Sequence, residues 1–468
     1  MRDIGIYICN YNKREYVVRC VESLLKQTYK DLDIYVVDNA SVDDSVEVLE
    51  KTFGKFISVI RNPENLGGSG GFNVGLRDAL KKDYKYAVLV DNDVWINQDT
   101  IEKMYNYMEE HEDVGILGPK ILQMDKPDTV QDLGGSIDDK YNMKGNYYGQ
   151  KDIGLPDELD CDYISTCTAM ARVEAIKKFG FMPEENFIYW DDVEWSKKCQ
   201  LEGYRTVALG SAKVWHKHSI TGQPSSFVKY YLIRNRLHFF AKYVPDGDID
   251  HFIDTILSNV FSQIYGYYNK SMMELFHSVI YAFDDFIHEI RGRADDFKMI
   301  QMTEYKIPFS RMLEGKKRIR IFFTDNFIQE DSLDIYHIFL YILYNIQNKY
   351  PQKKLWISLE KCSYGLEEFK KTLDKVIEME GPEFELPEIV LLEDDREVFD
   401  LDLRMCEHVK LVEKSILPEV YVDKYCNCIT SEDDLTYFKS YSTYEKLFIE
   451  MYRPLMRQAV KRIRDRGI

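Results

Sequence analysis

Residues 86 to 95 read YAVLVDNDVW, an apolar run suited to burial that ends on Asp91, Asn92 and Asp93. Two carboxylates this close repel by roughly 4 kcal/mol at an effective dielectric near 20, so both stay ionised only where a cation or several donors stand between them. A divalent cation is the simplest such partner. A plain turn is the alternative, because Asp and Asn are favoured wherever a strand stops. VVDNAS repeats the device earlier: Asp38 closes a strand pattern, and Ser41 with Asp43 can cap the helix that follows. In WDDVEW, Asp191 as N-cap and Glu194 three residues on make a capping box, with acidic groups suited to the helix dipole. Asp192 stands outside that box. Flanked by Trp190 and Trp195, it is a candidate general base beside an aromatic sugar platform. VWHKHS places His216 and His218 on one face of a strand-like alternation; such a histidine is commonly structural, yet beside a metal His216 is a natural third ligand.

The glycine-rich NLGGSGGFNVG, Asn65 to Gly75, precedes a helical pattern. It lacks the lysine of a P-loop, does not match GxGxxG and does not follow the first strand, which disfavours a nicotinamide cofactor. Glycines there would let backbone approach a ligand at a helix N-terminus, where anionic groups are favoured, with a flexible turn as the alternative.

These residues hang on a regular alternation. IGIYIC reads as a strand, Val17, Val18, Val21, Leu24 and Leu25 share one helical stripe, and DIYVVD reads as the next strand. A helix from Ser41, the strand FISVI, the helix GGFNVGLRDALKK and the strand YAVLV continue it. Strand and helix in turn imply an α/β fold with a mostly parallel sheet whose ligands sit at the carboxyl ends of strands. Asp38, Asp91 and Asp93 fall at such ends. The chain divides into residues 1–227, a helical and aromatic extension 228–305, and a smaller C-terminal α/β unit 306–468 built on RIRIFFTD, the helical run YHIFLYILYNIQ and KLWISLE.

The 468 residues are 45% hydrophobic, enough for several cores, and the formal charge of -18 disfavours nucleic acid as a partner. No uncharged apolar run reaches the ~20 residues that span a bilayer, and no leader pattern opens the chain. Nine cysteines without a CxxC pair fit reduced thiols in a cytosolic protein, and a zinc site built on them is not expected.

Taken in order, NYN at Asn10 to Asn12, VVDNAS, NLGGSGGFNVG, DND, WDDVEW and the pair Trp215 and His216 resemble the family 2 glycosyltransferases of the GT-A fold, most closely the bacterial rhamnosyltransferases and galactofuranosyltransferases. The likeness covers about the first half of the chain. It implies that Asp38, Asn39, Tyr11 and Asn12 hold the nucleoside, and that Asn65, Gly67, Gly68, Gly70, Gly71, Asn73, Asp91 and Asn92 line the donor. It further implies that Asp91, Asp93 and His216 coordinate a divalent metal, Mn2+ or Mg2+, on the diphosphate. Asp192 would activate the acceptor hydroxyl, with Trp190, Asp191 and Trp195 placing the acceptor. Relatives carry DDD or a small middle residue where this chain has Asn92, a change expected at the donor. YYLIRNRLHFF adds Arg234, Asn235 and Arg236 as diphosphate or acceptor contacts.

The resemblance implies inverting, metal-dependent transfer of galactofuranose, rhamnose or galactose from a UDP- or dTDP-sugar to a glycan acceptor, lipid-linked or free, of a bacterial surface polysaccharide. Two other classes compete. A sugar-nucleotide pyrophosphorylase would need a basic glycine-rich loop near the N-terminus, which MRDIGIYICNYNKREY does not offer. A non-catalytic carbohydrate-binding or scaffolding relative would have no use for mutually repelling Asp93 and Asp192 with His216. The closing YRPLMRQAVKRIRDRGI carries six basic residues among apolar ones. It suits either peripheral contact with an anionic membrane or a packed helix whose cations complement its dipole. Homo-oligomerisation through the C-terminal unit is equally open.

Overall fold

The computed structural model describes residues 2–217, 225–269, 273–295, 298, 318–322, 354–358, 371, 373–374, 389–391, 401–406, 420–423 and 428–466. His218, the run YHIFLYILYNIQ and the segment between Lys306 and Lys317 lie outside the described residues.

The expected alternation forms: β1 (Ile4–Asn10), α1 (Arg14–Leu25), β2 (Leu32–Asp38), α2 (Ser45–Phe53), β3 (Ile57–Arg61), α3 (Gly67–Lys81), β4 (Tyr86–Asp91) and β5 (Val94–Ile96). Then come α4 (Thr100–Glu110), β6 (Val114–Gln123), the short strands β7 (Val130–Asp132), β8 (Gly135–Ile137), β9 (Met143–Gly145) and β10 (Glu158–Asp160), followed by β11 (Thr168–Arg172), α5 (Val173–Phe179), α6 (Asp191–Leu201), β12 (Arg205–His216) and α7 (Ser226–Tyr243). Ten of these strands share one sheet along the path β10-β12-β6-β11-β4-β1-β2-β3, with β5 on β12 and β7 on β6. β1 is parallel to β2 and β4, β2 to β3, and β12 to β6, while β11 runs antiparallel between β4 and β6. This is the mixed, mostly parallel sheet expected of a GT-A domain.

Both faces are covered. Ile4, Ile6 and Ile8 of β1 pack with Val17, Val21 and Leu24 of α1, and Tyr7 and Leu89 pack on the other side with Phe72 and Leu76 of α3. A sheet buried on two faces can present polar groups only at strand ends, and that constraint makes Asp38 and Asp91 terminal.

Two boundaries differ from expectation. The second helix starts at Ser45 rather than Ser41, because Ser41 is held in a loop: its N–H donates to Asp38 Oδ2 at 3.1 Å and its hydroxyl accepts from Asn10 and Asn12. The glycines of residues 67–71 are the first turns of α3, not a loop before it.

By compactness the chain falls into two units: Met1–Thr255 with Ser278–Ile300 and Met456–Ile468, and Ile256–His277 with Gln301–Leu455. The helices α8 (Ile249–Asn269) and α9 (Met273–Ile287) follow α7. The second unit holds its own sheet of β13 (Arg318–Phe322), β14 (Lys354–Ser358), β15 (Ile389–Leu391), β16 (Leu401–Cys406), β17 (Val420–Asp423) and β18 (Cys428–Thr430), parallel except for β18. The closing helix α10 (Ser431–Asp465) directs Arg457 to Asp250 at 2.8 Å, Arg462 to Glu289 at 2.6 Å and Arg464 to Asp246, as a packed helix would. No described helix is long and apolar enough to cross a membrane.

Candidate active site

The sequence DND is both a turn and a charge cluster. Asp91 ends β4, and Asn92 and Asp93 turn the chain into β5. β5 lies antiparallel on the end of β12 with Val94 opposite His216, so the ladder itself sets the imidazole beside Asp93. Asp93 Oδ1 lies 3.2 Å from His216 Nε2, and Oδ2 lies 2.5 Å from Lys13 Nζ. Gln131 Oε1, 3.0 Å from His216 Nδ1, accepts that nitrogen's proton and turns Nε2 toward the carboxylates. One ligand atom each from Asp91, Cys167 and His216 lie within 4.8 Å of one another. β11 supplies this last neighbour: the Asp91 N–H donates to the Cys167 carbonyl at 2.9 Å just before the β4–β11 ladder begins.

The electrostatics separate the two aspartates. Burial, then repulsion from Asp93, pushes the Asp91 carboxyl up to about 7. Burial acts the same way on Asp93, but the His216 and Lys13 cations outweigh it and hold that carboxyl down at about 2. Burial works to lower the His216 imidazole, and the Asp93 carboxylate overcomes it and raises it. Carboxylates, an imidazole and a thiol in one crowded, largely buried cluster suit a divalent cation, which would replace the Lys13 and imidazolium charges now balancing Asp93.

At the ends of β1, β2 and β4, Asn10, Asp38, Ser41 and Asn92 form one hydrogen-bonded network. Asn10 Nδ2 donates to Asp38 Oδ1 and Ser41 Oγ, both at 3.2 Å, and Asn92 Nδ2 donates to Asn10 Oδ1 at 2.9 Å. Asn92 thus ties the β4–β5 turn to the Asp38 loop through Asn10. Asn39 is likewise engaged within the protein, bridging Asn65, Gly67, Asn62 and Leu66. Asn65 accepts from the Gly67 N–H at 2.8 Å, and Asn12 accepts from the Val42 N–H at 2.7 Å, so these side chains tie loops together. Tyr11, 43% exposed on the turn after β1, keeps an open aromatic face.

The glycines answer to packing. Gly67 sits at φ +73°, where a Cβ would lie 2.1 Å from the Phe187 carbonyl oxygen. A Cβ at Gly71 would lie 2.5 Å from Cys9 Sγ, and one at Gly70 2.6 Å from Leu66. Asn73 is fully buried, donating to the Met182 carbonyl and accepting from the Met182 N–H. These four are corrected from donor contacts to packing positions, while Gly68, with Asp191 Oδ2 3.9 Å from a notional Cβ, borders more open space.

The approach to Asp192 is unusual backbone. Phe187, Tyr189 and Trp190 have φ of 66°, 63° and 65°, a region costly for bulky L-residues. Arg234 and Asn235 of α7 hold this segment. Asn235 Nδ2 lies 2.9, 2.8 and 3.0 Å from the carbonyls of Asn186, Ile188 and Tyr189, and the fully buried Arg234 donates to the Asn186 and Gly292 carbonyls. Both are positioning residues and not diphosphate contacts, and Arg236 donates to the Lys140 carbonyl at 2.6 Å. No capping box forms: Trp190, left-handed, is the N-cap, Asp191 accepts from Ser69 Oγ at 2.8 Å, and Glu194 takes Lys242 at 2.9 Å. Trp195 is fully buried beside Phe179 with its indole N–H on the Gly180 carbonyl, and Trp190 packs on Phe239 and Phe240. Trp195 is thus corrected from acceptor platform to core. Asp192 keeps part of its surface open, and burial, then Asp191, pushes its carboxyl up to about 8 against the Val193 and Thr166 N–H groups.

Sequence reasoning missed Lys13, Gln131, Cys167, Ser69 and Asp132. Lys13 adjoins the NYN motif and Ser69 sits inside the glycine-rich motif, where the glycines drew the reading; Gln131, Cys167 and Asp132 stand in segments without period or motif, and only the sheet brings them in. Asp132, at the end of β7, is pushed up to about 7 by burial and lies in the field of His216 and Asp192.

Residues 5–180 match the family model for Glycosyl transferase family 2. The chain is similar to galactofuranosyltransferase GlfT2 of Mycobacterium tuberculosis, 25% identical over 47% of this chain and 38% of that protein. It is also similar to the Escherichia coli UDP-Glc:alpha-D-GlcNAc-diphosphoundecaprenol beta-1,3-glucosyltransferase WfaP, 32% identical over 23% of this chain and 42% of that one. It thus spans less than half the length of either relative. The solved structure of S. aureus TarS 1–349 aligns with 62% of this chain and 81% of its own at 20% identity and a TM-score of 0.43, too loose to carry residues across. With β1 to β11, the DND turn and the glycine helix inside the matched span, residues 5–180 belong to glycosyl transferase family 2.

Proposed function

We propose that this protein is an inverting glycosyltransferase that moves a sugar, galactofuranose, rhamnose or galactose, from a UDP- or dTDP-sugar to a hydroxyl of a bacterial surface glycan, lipid-linked or free. The observation that carries the reading is convergence: Asp91 and Asp93 from the β4–β5 turn meet His216 from the end of β12, more than a hundred residues away, while Asp192 opens α6 with a raised carboxyl. The family match and the glycosyl transfer stated in the names of both curated relatives support it.

Asp91, Asp93 and His216 would hold a divalent cation, Mn2+ or Mg2+, whose chemistry is to offset charge gathering on the leaving diphosphate. Gln131 fixes the imidazole tautomer for that task. Ionised Asp192 takes the proton of the acceptor hydroxyl as its oxygen bonds to the anomeric carbon, while the bond from that carbon to the diphosphate oxygen breaks on the opposite face. The product is inverted. Asn235 and Arg234 keep Asp192 in place by bracing the left-handed turn, and Tyr11 offers a stacking face to the nucleobase. We assign this chemistry to residues 1–227, with α7 as its brace, and treat the second compact unit, Ile256–His277 with Gln301–Leu455, as separate from it.

The test is a screen of UDP- and dTDP-sugars for hydrolysis, with and without Mn2+. At least one sugar nucleotide should be hydrolysed, and EDTA should suppress it. Hydrolysis unchanged by EDTA would sink the cation assignment, and no turnover or binding of any sugar nucleotide would sink the reading as a whole.

A further inference from the structure

Resting on the cation reading above, we infer that Cys167 is itself a metal ligand, so that the centre is a mixed carboxylate, imidazole and thiolate site. Its ligand atom shares the 4.8 Å cluster with those of Asp91 and His216, and the side chain is buried, 4% exposed. The placement is built into the sheet. Cys167 directly precedes β11, whose antiparallel ladder with β4 pairs Thr168 with Val90, and the Asp91 N–H is bonded to the Cys167 carbonyl. The Cys167 backbone cannot drift from that of Asp91 without breaking that ladder, which keeps the thiol within reach of the carboxylate. Asp93 faces two cations, Lys13 and His216, whose charges a bound ion would replace, while Gln131 on Nδ1 orients the ring.

A thiolate changes which ions the site takes. Oxygen donors suit Mg2+, whereas a sulfur donor favours borderline ions such as Co2+ and Zn2+, with Mn2+ between them. On binding, the thiol gives its proton to solvent and its lone pair to the ion, with no change of oxidation state.

Cobalt makes the ligand visible independently of turnover. Anaerobic titration of Co2+ into the full chain should produce visible d–d bands together with a near-ultraviolet sulfur-to-cobalt charge-transfer band. Cys167→Ser and Cys167→Ala should lose the near-ultraviolet band and keep the visible ones, and Cys9→Ser should keep both. Competition with Mg2+ should show the preference for Co2+ falling by more than about tenfold in Cys167→Ser. Visible bands without charge transfer in the unaltered chain would overturn the thiolate ligand while leaving the cation reading intact. A charge-transfer band that survives in Cys167→Ser would assign the sulfur elsewhere and overturn it too. Absence of any cobalt spectrum would remove the cation centre along with its ligand.

Discussion

Two aspartate pairs stand near the site, and they are electrostatic opposites. The pair Asp91 and Asp93 is met by Lys13 and His216, so one carboxyl is held down at about 2 and the other rises to about 7. Among the described residues, the pair Asp191 and Asp192 meets no cation in its contacts, only the Ser69 hydroxyl and backbone N–H groups, and both carboxyls are raised, Asp192 to about 8. Identical side chains therefore stand in opposite fields. Under the proposed mechanism the first pair would hold positive charge and the second would hold and release a proton, the division of labour expected when neighbouring acids experience different environments.

The largest effect should come from the proton-handling pair. Asp192→Asn keeps size and polarity but cannot accept a proton, so sugar transfer should fall by about 10^2–10^4-fold. Mn2+ affinity, read by calorimetry, should be unchanged, because Asp192 is not among the cluster of Asp91, Cys167 and His216. A variant with near-normal turnover would show that another group takes the proton.

The converse variant is Asp93→Asn, which removes the charge that Lys13 and His216 share. Mn2+ affinity should weaken by about 10–100-fold, with the far-ultraviolet circular dichroism of the fold retained. If Asp192→Asn weakens Mn2+ binding as much as Asp93→Asn does, the division between the two pairs is wrong.

How much of this was legible follows from where each residue gets its constraint. The sheet was readable because two-sided burial writes continuous apolar runs such as YAVLV, and the carboxylates were readable because they interrupt those runs at strand ends. Legibility ended where a side chain is held by a residue distant in sequence. Nothing local marks Asn73 as partner of Met182, or Asn235 as the brace of Ile188 and Tyr189. The glycines misled for a related reason: a helix that packs tightly on β1 and on the Phe187 turn needs the same residues as a loop that hugs a ligand. Trp195 misled because the same motif that exposes Asp192 turns the next indole inward, onto the Gly180 carbonyl. The Asn92 amide completes a buried network with Asn10 that sequence separation hides.

The smallest effect should be the most discriminating. Asp192 titrates in the field of Asp191 and Asp132, with Tyr163 also near, and ionised Asp132 makes a second negative charge costlier. Only the ionised carboxylate can accept a proton, so the rate of transfer, or of hydrolysis with water as acceptor, should climb as pH rises through about 8. Asp132→Asn removes one repulsive charge, so the rising limb should move toward lower pH while the plateau stays put. Stability in EDTA carries the opposite signs of the two pairs. Asp192, raised from 3.8 to about 8, stabilises the fold fully below 3.8, and that contribution is lost as pH climbs through about 8. Asp93, lowered from 3.8 to about 2, stabilises above 3.8 and loses its contribution as pH falls through about 2. Unfolding midpoints across pH should therefore separate the variants: Asp192→Asn gains relative stability on the alkaline side, and Asp93→Asn loses its deficit on the acid side. A rate profile that Asp132→Asn leaves in place would mean that the two carboxyls do not share a field, and that the raised Asp192 owes its state to burial and Asp191.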